Sequence, residues 1–90
     1  YSIERSFLDS RYLISLLEVV KIGFIAGAAR SLNLTPAAIG QRIKSLEQEL
    51  NTNLLIRSGH KAAPSEACKE LLPKISEIVQ KCEDLALSWD

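Results

Sequence analysis

The sequence has few of the residues that cross-link small domains or hold metal ions. It contains two cysteines, Cys68 and Cys82, and a single histidine, His60. Because there is no Cys-x-x-Cys pair and no cluster of cysteine and histidine, a disulfide framework and a structural metal site are both excluded. We expect reduced thiols that pack as small apolar side chains, and we expect no cofactor.

Long hydrophobic runs are also missing. No apolar stretch approaches the roughly 20 residues that a helix needs to cross a bilayer, and the N-terminus lacks the pattern of a secretory signal. We therefore expect a cytoplasmic protein with no membrane partner. The chain begins at Tyr1 rather than at methionine, which indicates a segment of a longer protein.

The sets of side chains that catalyse reactions are missing as well. The chain has no Ser/His/Asp or Cys/His combination, no phosphate-cradling glycine loop and no paired carboxylates in an apolar setting, so we expect no enzyme. Glu47 and Glu49 fall on different faces of a helix, and we expect Glu47 to support packing or a local ion pair. The 90 residues form one small domain with a modest core, which a second copy would help to stabilise.

An excess of charge of either sign is absent, because 11 Lys and Arg residues balance 11 Asp and Glu residues. The distribution is nevertheless uneven. Residues 26–61 hold five basic and two acidic side chains, whereas residues 62–90 hold three basic and six acidic ones. Attraction to phosphate is local, since salt screens it beyond about 10 Å. A basic middle beside an acidic end therefore favours a one-sided contact with nucleic acid.

What the sequence does contain is a pair of amphipathic helices joined by a tight corner. Apolar residues recur at one-face helical spacing on both sides of a short interruption. They are Ile25, Ala28, Ala29, Leu32, Ile39, Ile43, Leu46 and Leu50. Thr35 can cap the second helix, Pro36 suits its first position, and Asn51 can end it in the left-handed conformation. The pattern predicts a helix-turn-helix whose second helix spans 36–50.

The outer face of this second helix carries short and polar side chains and no acid. Its members are Ala37, Gly40, Gln41, Lys44, Ser45 and Gln48. A recognition helix that enters the major groove of DNA has this character. The alternative is an ordinary pair of packed helices, because the pattern also occurs without DNA binding.

Segments on either side complete the domain. Asp9 or Ser10 can cap a first helix over 11–21, which Gly23 ends. The side chains that we expect to face inward from this helix are Leu13, Leu16, Leu17 and Val20.

A short two-stranded wing is predicted after the second helix of the pair. A strand at 54–56, a turn at 58–60 and a return at 62–64 make up this wing. Arg57 and Lys61 flank the turn, and together with His60 they are placed to touch phosphate or to reach a minor groove. The alternative is a surface loop whose basic side chains are simply solvated.

The last segment, residues 65–90, is predicted to be a long helix capped by Ser65, with a bend at Pro73. Its apolar residues repeat every seven positions and form a wide stripe. We expect the following members of the stripe to form a dimer contact: Leu71, Leu72, Ile75, Ile78, Val79, Cys82, Leu85, Ala86 and Trp89. A helix of about 25 residues is about 37 Å long, which a domain this small cannot cover. A second copy of the same helix is the simplest partner, in a twofold dimer.

The run from Leu13 to Ala67 resembles the N-terminal DNA-binding domain of LysR-type bacterial transcriptional regulators. Its most specific feature is the spacing from Ala28-Ala29 through Leu46-Glu47 to Arg57. The resemblance implies a mainly α-helical, winged helix-turn-helix domain at 1–64, of which 1–8 are a possible extension, and a linker and dimerisation helix at 65–90. It also implies binding to double-stranded promoter DNA as a homodimer, pairing into tetramers in the full-length protein, and a small-molecule effector bound by a separate C-terminal domain.

Carried over by position, the DNA contacts of that family fall on the recognition helix and the wing. They are Thr35, Pro36, Ala37, Gly40, Gln41, Lys44, Arg57, His60 and Lys61. Five residues depart from the family pattern. Phe24 and Gly40 each replace a usual serine, and Gln41 stands where arginine is frequent. Pro64 and Cys68 replace a common leucine and glycine near the exit of the wing. Glutamine suits bidentate contact with adenine, whereas arginine suits guanine. The alternative function is a winged-helix module that dimerises or docks a protein and binds DNA weakly.

Overall fold

The computed structural model describes residues 8–88, which form four helices and a two-stranded antiparallel sheet. The elements in chain order are α1 (Ser10–Ile22), α2 (Ile25–Ser31), α3 (Pro36–Leu50), β1 (Leu55–Ser58), β2 (Lys61–Pro64) and α4 (Glu66–Ser88). The predicted winged helix-turn-helix followed by a long helix is confirmed. Most of the predicted extension 1–8, as well as Trp89 of the predicted dimer contact, lies outside the described residues.

Helix α1 begins and ends where its capping residues allow. The Asp9 carboxylate accepts a hydrogen bond from the backbone N–H of Arg11 at 2.8 Å. Hydrogen bonds from Arg11, chiefly from its guanidinium, lower the pKa of Asp9 to about 2. Gly23 ends the helix with φ +94°, a conformation that an L side chain rarely adopts. The helix is one residue longer at each end than the prediction.

The other helices pack around α1, so its buried surface is broader than one stripe. Leu13 and Leu16 face the core as predicted, and Ser15 and Val19 are buried beside them. Leu17 and Val20 also pack against the core as predicted, but both are half-buried at the edge of this surface. The hydrophobic core of the domain is formed by Leu13, Leu16, Val19, Ala28, Ala29, Ile39, Ile43, Leu46, Leu54, Leu55, Ala62, Cys68, Ile75 and Val79.

Local chemistry fixes the corner between α2 and α3. The small side chains of Ala28 and Ala29 are buried, which lets the two helices approach closely. Thr35 Oγ1 accepts a hydrogen bond from Ala38 N at 3.1 Å, and Pro36 occupies the first position of α3. Asn51 ends α3 in the left-handed conformation, with φ +53°. The predicted bounds of the second helix are therefore confirmed at both ends.

The wing forms at its predicted place in the chain, but both strands run further towards the turn than predicted. Strand β1 pairs with β2 in antiparallel register, so that Arg57 lies opposite Ala62 and Ser58 opposite Lys61. The predicted strand at 54–56 starts one residue too early, because Leu54 is fully buried and its N–H bonds to a side chain of α3. A backbone hydrogen bond of 2.8 Å from Ala62 N to Gly23 O ties the second strand to the end of α1.

Helix α4 packs on the domain with its first half only. Ser65 Oγ accepts a hydrogen bond from Cys68 N at 3.0 Å, which confirms the predicted cap. Cys68, Ile75 and Val79 are buried in the core, whereas residues 80–88 are all exposed. At 1.5 Å per residue the 23 residues of this helix span about 34 Å.

Candidate nucleic-acid interface

The outer side of α3 and the start of the wing together form one concave surface. We call it the α3–β1 surface, and it is lined by Ala37, Gly40, Gln41, Lys44, Glu47, Asn53, Leu55 and Arg57. Ala37, Gln41 and Lys44 are exposed, and Gly40 is half-buried. The fold thus brings four of the predicted recognition-helix residues next to Arg57 of the wing.

The guanidinium of Arg57 lies against the recognition helix, next to Gly40. Its Nη2 atom is 4.0 Å from the position that a Cβ atom would occupy at Gly40, and no other side chain comes within 4 Å of that position. The missing side chain at Gly40 therefore leaves room above α3 for the guanidinium of the wing.

A second concavity of about 510 Å³ lies between the starts of α2 and α3 and the turn of the wing. Its lining combines an apolar floor with three basic side chains: Phe24, Ile25, Ala26, Pro36, Arg57, Gly59, His60, Lys61 and Ala62. His60 and Lys61 are exposed, and Arg57 belongs to both concavities. The predicted wing residues thus share one edge of the molecule with the start of the recognition helix.

Thr35 stands apart from the other predicted contacts, because its hydroxyl oxygen already accepts the capping bond from Ala38 N. The hydroxyl proton is still free to be donated outward from this exposed position.

Within residues 8–88, no ion pair joins the basic side chains of this edge to an acid. The ion pairs within residues 8–88 join Asp9 to Arg11, Glu18 to Lys21 and Glu66 to Lys69, all away from the α3–β1 surface. Lys44, Arg57 and Lys61 therefore present their charges to solvent, where salt screens them.

Arg42, by contrast, does not contribute to this basic surface, although it belongs to the basic middle of the sequence. Its Nη1 atom donates to Ser15 Oγ at 3.2 Å and to the carbonyl of Arg11 at 3.5 Å. Its guanidinium lies 5.3 Å from the centroid of the Tyr12 ring, a cation–π distance. Arg42 thus braces α3 against α1, and the buried hydroxyl of Ser15 has its partners.

Glu47 has a role that differs from the expected packing or ion pair. Its Oε2 atom accepts hydrogen bonds from Leu54 N at 2.8 Å and from Leu55 N at 3.4 Å. The carboxylate therefore satisfies two backbone amides at the start of the wing, which a helix-surface pattern in the sequence does not reveal.

Replacing Gly40 by alanine is expected to stabilise the fold. The added Cβ would make only an ordinary contact with Arg57, while the helix would gain about 1 kcal/mol because alanine loses less backbone entropy than glycine. Urea unfolding followed by circular dichroism measures this. Gly23→Ala is the matched control, and we expect it to destabilise the fold because of the positive φ there. A lower midpoint for Gly40→Ala would contradict the prediction.

The predicted dimer contact divides into two groups on α4. Ile75 and Val79 are only 4% and 7% exposed, because they pack inside the protomer. They are therefore core residues here and not surface residues. Ile78 and Leu85 are 45% and 73% exposed and lie seven residues apart on one face. The remaining described members are half-buried or exposed: Leu71 and Leu72 are half-buried, and Cys82 and Ala86 are exposed.

None of the helices within residues 8–88 is long and apolar enough to cross a membrane.

The three-helix core, the exposed second helix of the corner and the two-stranded wing define a winged helix-turn-helix protein. The sequence model of the family described as "Bacterial regulatory helix-turn-helix protein, lysR family" matches residues 10–69, well over half of the chain. The chain therefore belongs to the LysR family of bacterial regulatory helix-turn-helix proteins.

Individual relatives agree with this assignment. The chain is 33% identical over 81 residues to the nitrogen assimilation regulatory protein nac of Escherichia coli K12, which covers 90% of the chain and 27% of nac. It is 46% identical over 50 residues to the transcriptional regulator LysG of Mycobacterium tuberculosis H37Rv, which covers 56% of the chain and 16% of LysG. The chain thus spans about a quarter or less of the length of these relatives.

Solved structures show the same fold. The DNA-binding domain of CbnR, crystallised with DNA, superposes with a TM-score of 0.83 at 24% identity, over 88% of this chain and 91% of that one. Oxidized OxyR of Corynebacterium glutamicum superposes with a TM-score of 0.87 at 21% identity, over 91% of this chain and 26% of that one. At such low identity the two structures support the fold alone.

Proposed function

We propose that this chain binds double-stranded promoter DNA and regulates transcription in the cytoplasm, without an enzymatic activity of its own. The observation that carries the proposal is the α3–β1 surface. An exposed, polar helix face lies there beside Arg57 of the wing, on one concave side of the domain. A winged helix-turn-helix places such a helix in the major groove and its wing on the flanking backbone.

The side chains divide naturally between reading bases and holding phosphates. Gln41 is exposed in the middle of the helix face, and its amide can bond to adenine N6 and N7. Lys44, Arg57 and Lys61 carry the charge that phosphate attracts, and His60 lies between the last two at the tip of the wing.

The start of α3 is suited to close approach. Thr35, Pro36 and Ala37 are short and exposed, so that the backbone of the first turn can come near the edge of the groove. The relatives support this arrangement, since the CbnR domain was crystallised with DNA and nac is a regulatory protein.

We further propose that the domain at 1–64 acts as a homodimer through the helix at 65–90. The exposed half of α4 presents Ile78 and Leu85 to solvent, and apolar groups of this size are stabilised by burial. A copy of the same helix can cover them in a twofold arrangement. In the full-length protein the dimers pair into tetramers, and a C-terminal domain outside these residues binds the small-molecule effector.

The test is a fluorescence-anisotropy titration of the chain with the duplex upstream of its own gene and with a mixed-sequence duplex, at two salt concentrations. We expect tighter binding to the upstream duplex, and weaker binding to both duplexes at the higher salt. Gln41→Ala is expected to remove about a tenfold preference for the upstream duplex, because one bidentate base contact is lost. Gln80→Ala, which removes an exposed amide on α4, is the matched control.

A dimeric protein that binds neither duplex at low salt would contradict the proposal. That result would favour the alternative function, a winged-helix module that dimerises or docks a protein.

A further inference from the structure

We propose that Glu47 is a positioning residue that holds Arg57 of the wing against the recognition helix. The inference rests on the proposed DNA binding and adds a residue that is not expected to touch DNA itself. Two contacts carry it: the bonds from the wing amides to Glu47, and the approach of Arg57 to Gly40.

The first contact fixes the start of the wing to α3. Leu54 is fully buried and Leu55 is 9% exposed, so their N–H groups are largely withdrawn from water and need an acceptor. Glu47 Oε2 accepts from both, at 2.8 and 3.4 Å. On the other side of the same residue, the carbonyl of Leu54 accepts from Ser65 N at 2.9 Å. Leu54, directly before β1, is therefore held by Glu47 of α3 and by Ser65, which precedes α4.

The second contact joins Arg57 of the wing to Gly40 of α3. Side chains alternate along a strand, so Leu55 and Arg57 point to the same face of β1. The guanidinium of Arg57 then lies above Gly40, two turns before Glu47 on the same helix. The start of the wing therefore contacts α3 at two places, through the Glu47 carboxylate and through the guanidinium of Arg57 above Gly40. The carboxylate of Glu47 fixes the position of the strand that carries Arg57.

Because Glu47 is charged, the proposal predicts whether each substitution of this residue strengthens or weakens DNA binding. Glu47 lines the α3–β1 surface, where a negative charge repels phosphate. Removing the charge while keeping an acceptor oxygen should therefore strengthen DNA binding. Removing the charge together with the acceptor should weaken it, because the wing loses its anchor.

The experiment compares Glu47→Gln with Glu47→Ala in anisotropy titrations against a mixed-sequence duplex. Both variants lose the charge, but only glutamine keeps an oxygen at the position of Oε2. We expect Glu47→Gln to bind at least as tightly as the unmodified chain, and Glu47→Ala to bind about tenfold more weakly than Glu47→Gln. Equal affinities for the two variants would overturn the proposal.

Combining these variants with Arg57→Ala separates positioning from a general loss of stability. In the unmodified and Glu47→Gln backgrounds, Arg57→Ala should weaken binding about tenfold. In the Glu47→Ala background it should change binding by less than about twofold, because the guanidinium is already displaced. The same factor in all three backgrounds would mean that Glu47 does not position Arg57.

Two further measurements keep the test decisive. Glu47→Asp keeps the charge but draws the carboxylate one methylene away from the amides of Leu54 and Leu55, so it should also reduce the effect of Arg57→Ala even if Glu47→Ala fails to fold. In the absence of DNA, a nuclear Overhauser effect between the Arg57 side chain and the Gly40 α-protons should persist in Glu47→Gln and vanish in Glu47→Ala. Its persistence in Glu47→Ala would overturn the positioning role, whereas a chain that binds no duplex at all would refute the proposed function instead.

Discussion

Replacing Lys44, Arg57 and Lys61 together by alanine is expected to weaken binding to a DNA duplex about a thousandfold at low salt. A charge-assisted hydrogen bond to phosphate contributes about a factor of ten, and three such contacts at separate positions add nearly independently. All three side chains are exposed and lie away from the acids that form ion pairs in residues 8–88. Their loss should therefore leave the fold intact, as circular dichroism can check.

The salt dependence identifies the cause of this loss. Each phosphate neutralised by the protein contributes about −0.9 to the slope of log K against log salt, so the triple variant should have a slope shallower by about 3. The matched control replaces Lys69, Lys74 and Lys81 of α4, which removes the same charge far from the α3–β1 surface. If both triple variants lost affinity equally, net charge alone would explain the effect and the site would be wrong.

The helix-turn-helix is the part of the fold that local sequence signals determine most completely. Thr35 and Pro36 mark the start of α3, and Asn51 marks its end, because each acts within one turn of the end of the helix. These signals need no knowledge of distant residues. The bounds of α3 and the exposure of Gln41 and Lys44 could therefore be predicted from the sequence.

The partners of Arg42 and Glu47 could not be predicted in the same way. Arg42 bonds to a residue 27 positions earlier in the chain, and Glu47 bonds to amides of a strand that the sequence places only approximately. From the sequence alone, a charged residue on a predicted helix is interpreted as a solvated or ion-paired group, because its tertiary neighbours are not known. The basic surface is consequently smaller than the sequence indicates, and its single acid is engaged by the backbone.

The periodicity of α4 explains why its two roles could not be separated. A repeat of seven residues places Cys68, Ile75 and Cys82 on nearly the same face, although the first two are buried and the last is exposed. The reason is that the body of the domain ends near Val79, beyond which the same face has nothing to cover it. The sequence shows an apolar stripe, but only the fold shows where the core of the protomer stops.

The exposed part of this stripe leads to the second prediction with a large effect. Replacing Ile78 and Leu85 together by glutamate is expected to convert the proposed homodimer into a monomer, because two charges per protomer would have to be buried at the proposed twofold interface. Sedimentation equilibrium measures the change in mass. Both side chains are exposed in the protomer, so the fold of residues 8–88 should be retained.

DNA binding should follow the loss of the dimer. A dimer holds two half-sites at once, and binding of the second becomes intramolecular, which raises the affinity by a factor of about 10² to 10⁴. The double variant should lose this factor on the upstream duplex and bind as a single domain. Ser76→Glu with Leu87→Glu adds the same charges on the opposite, exposed face of α4 and should stay dimeric. A dimer that survives the changes at Ile78 and Leu85 would place the interface elsewhere.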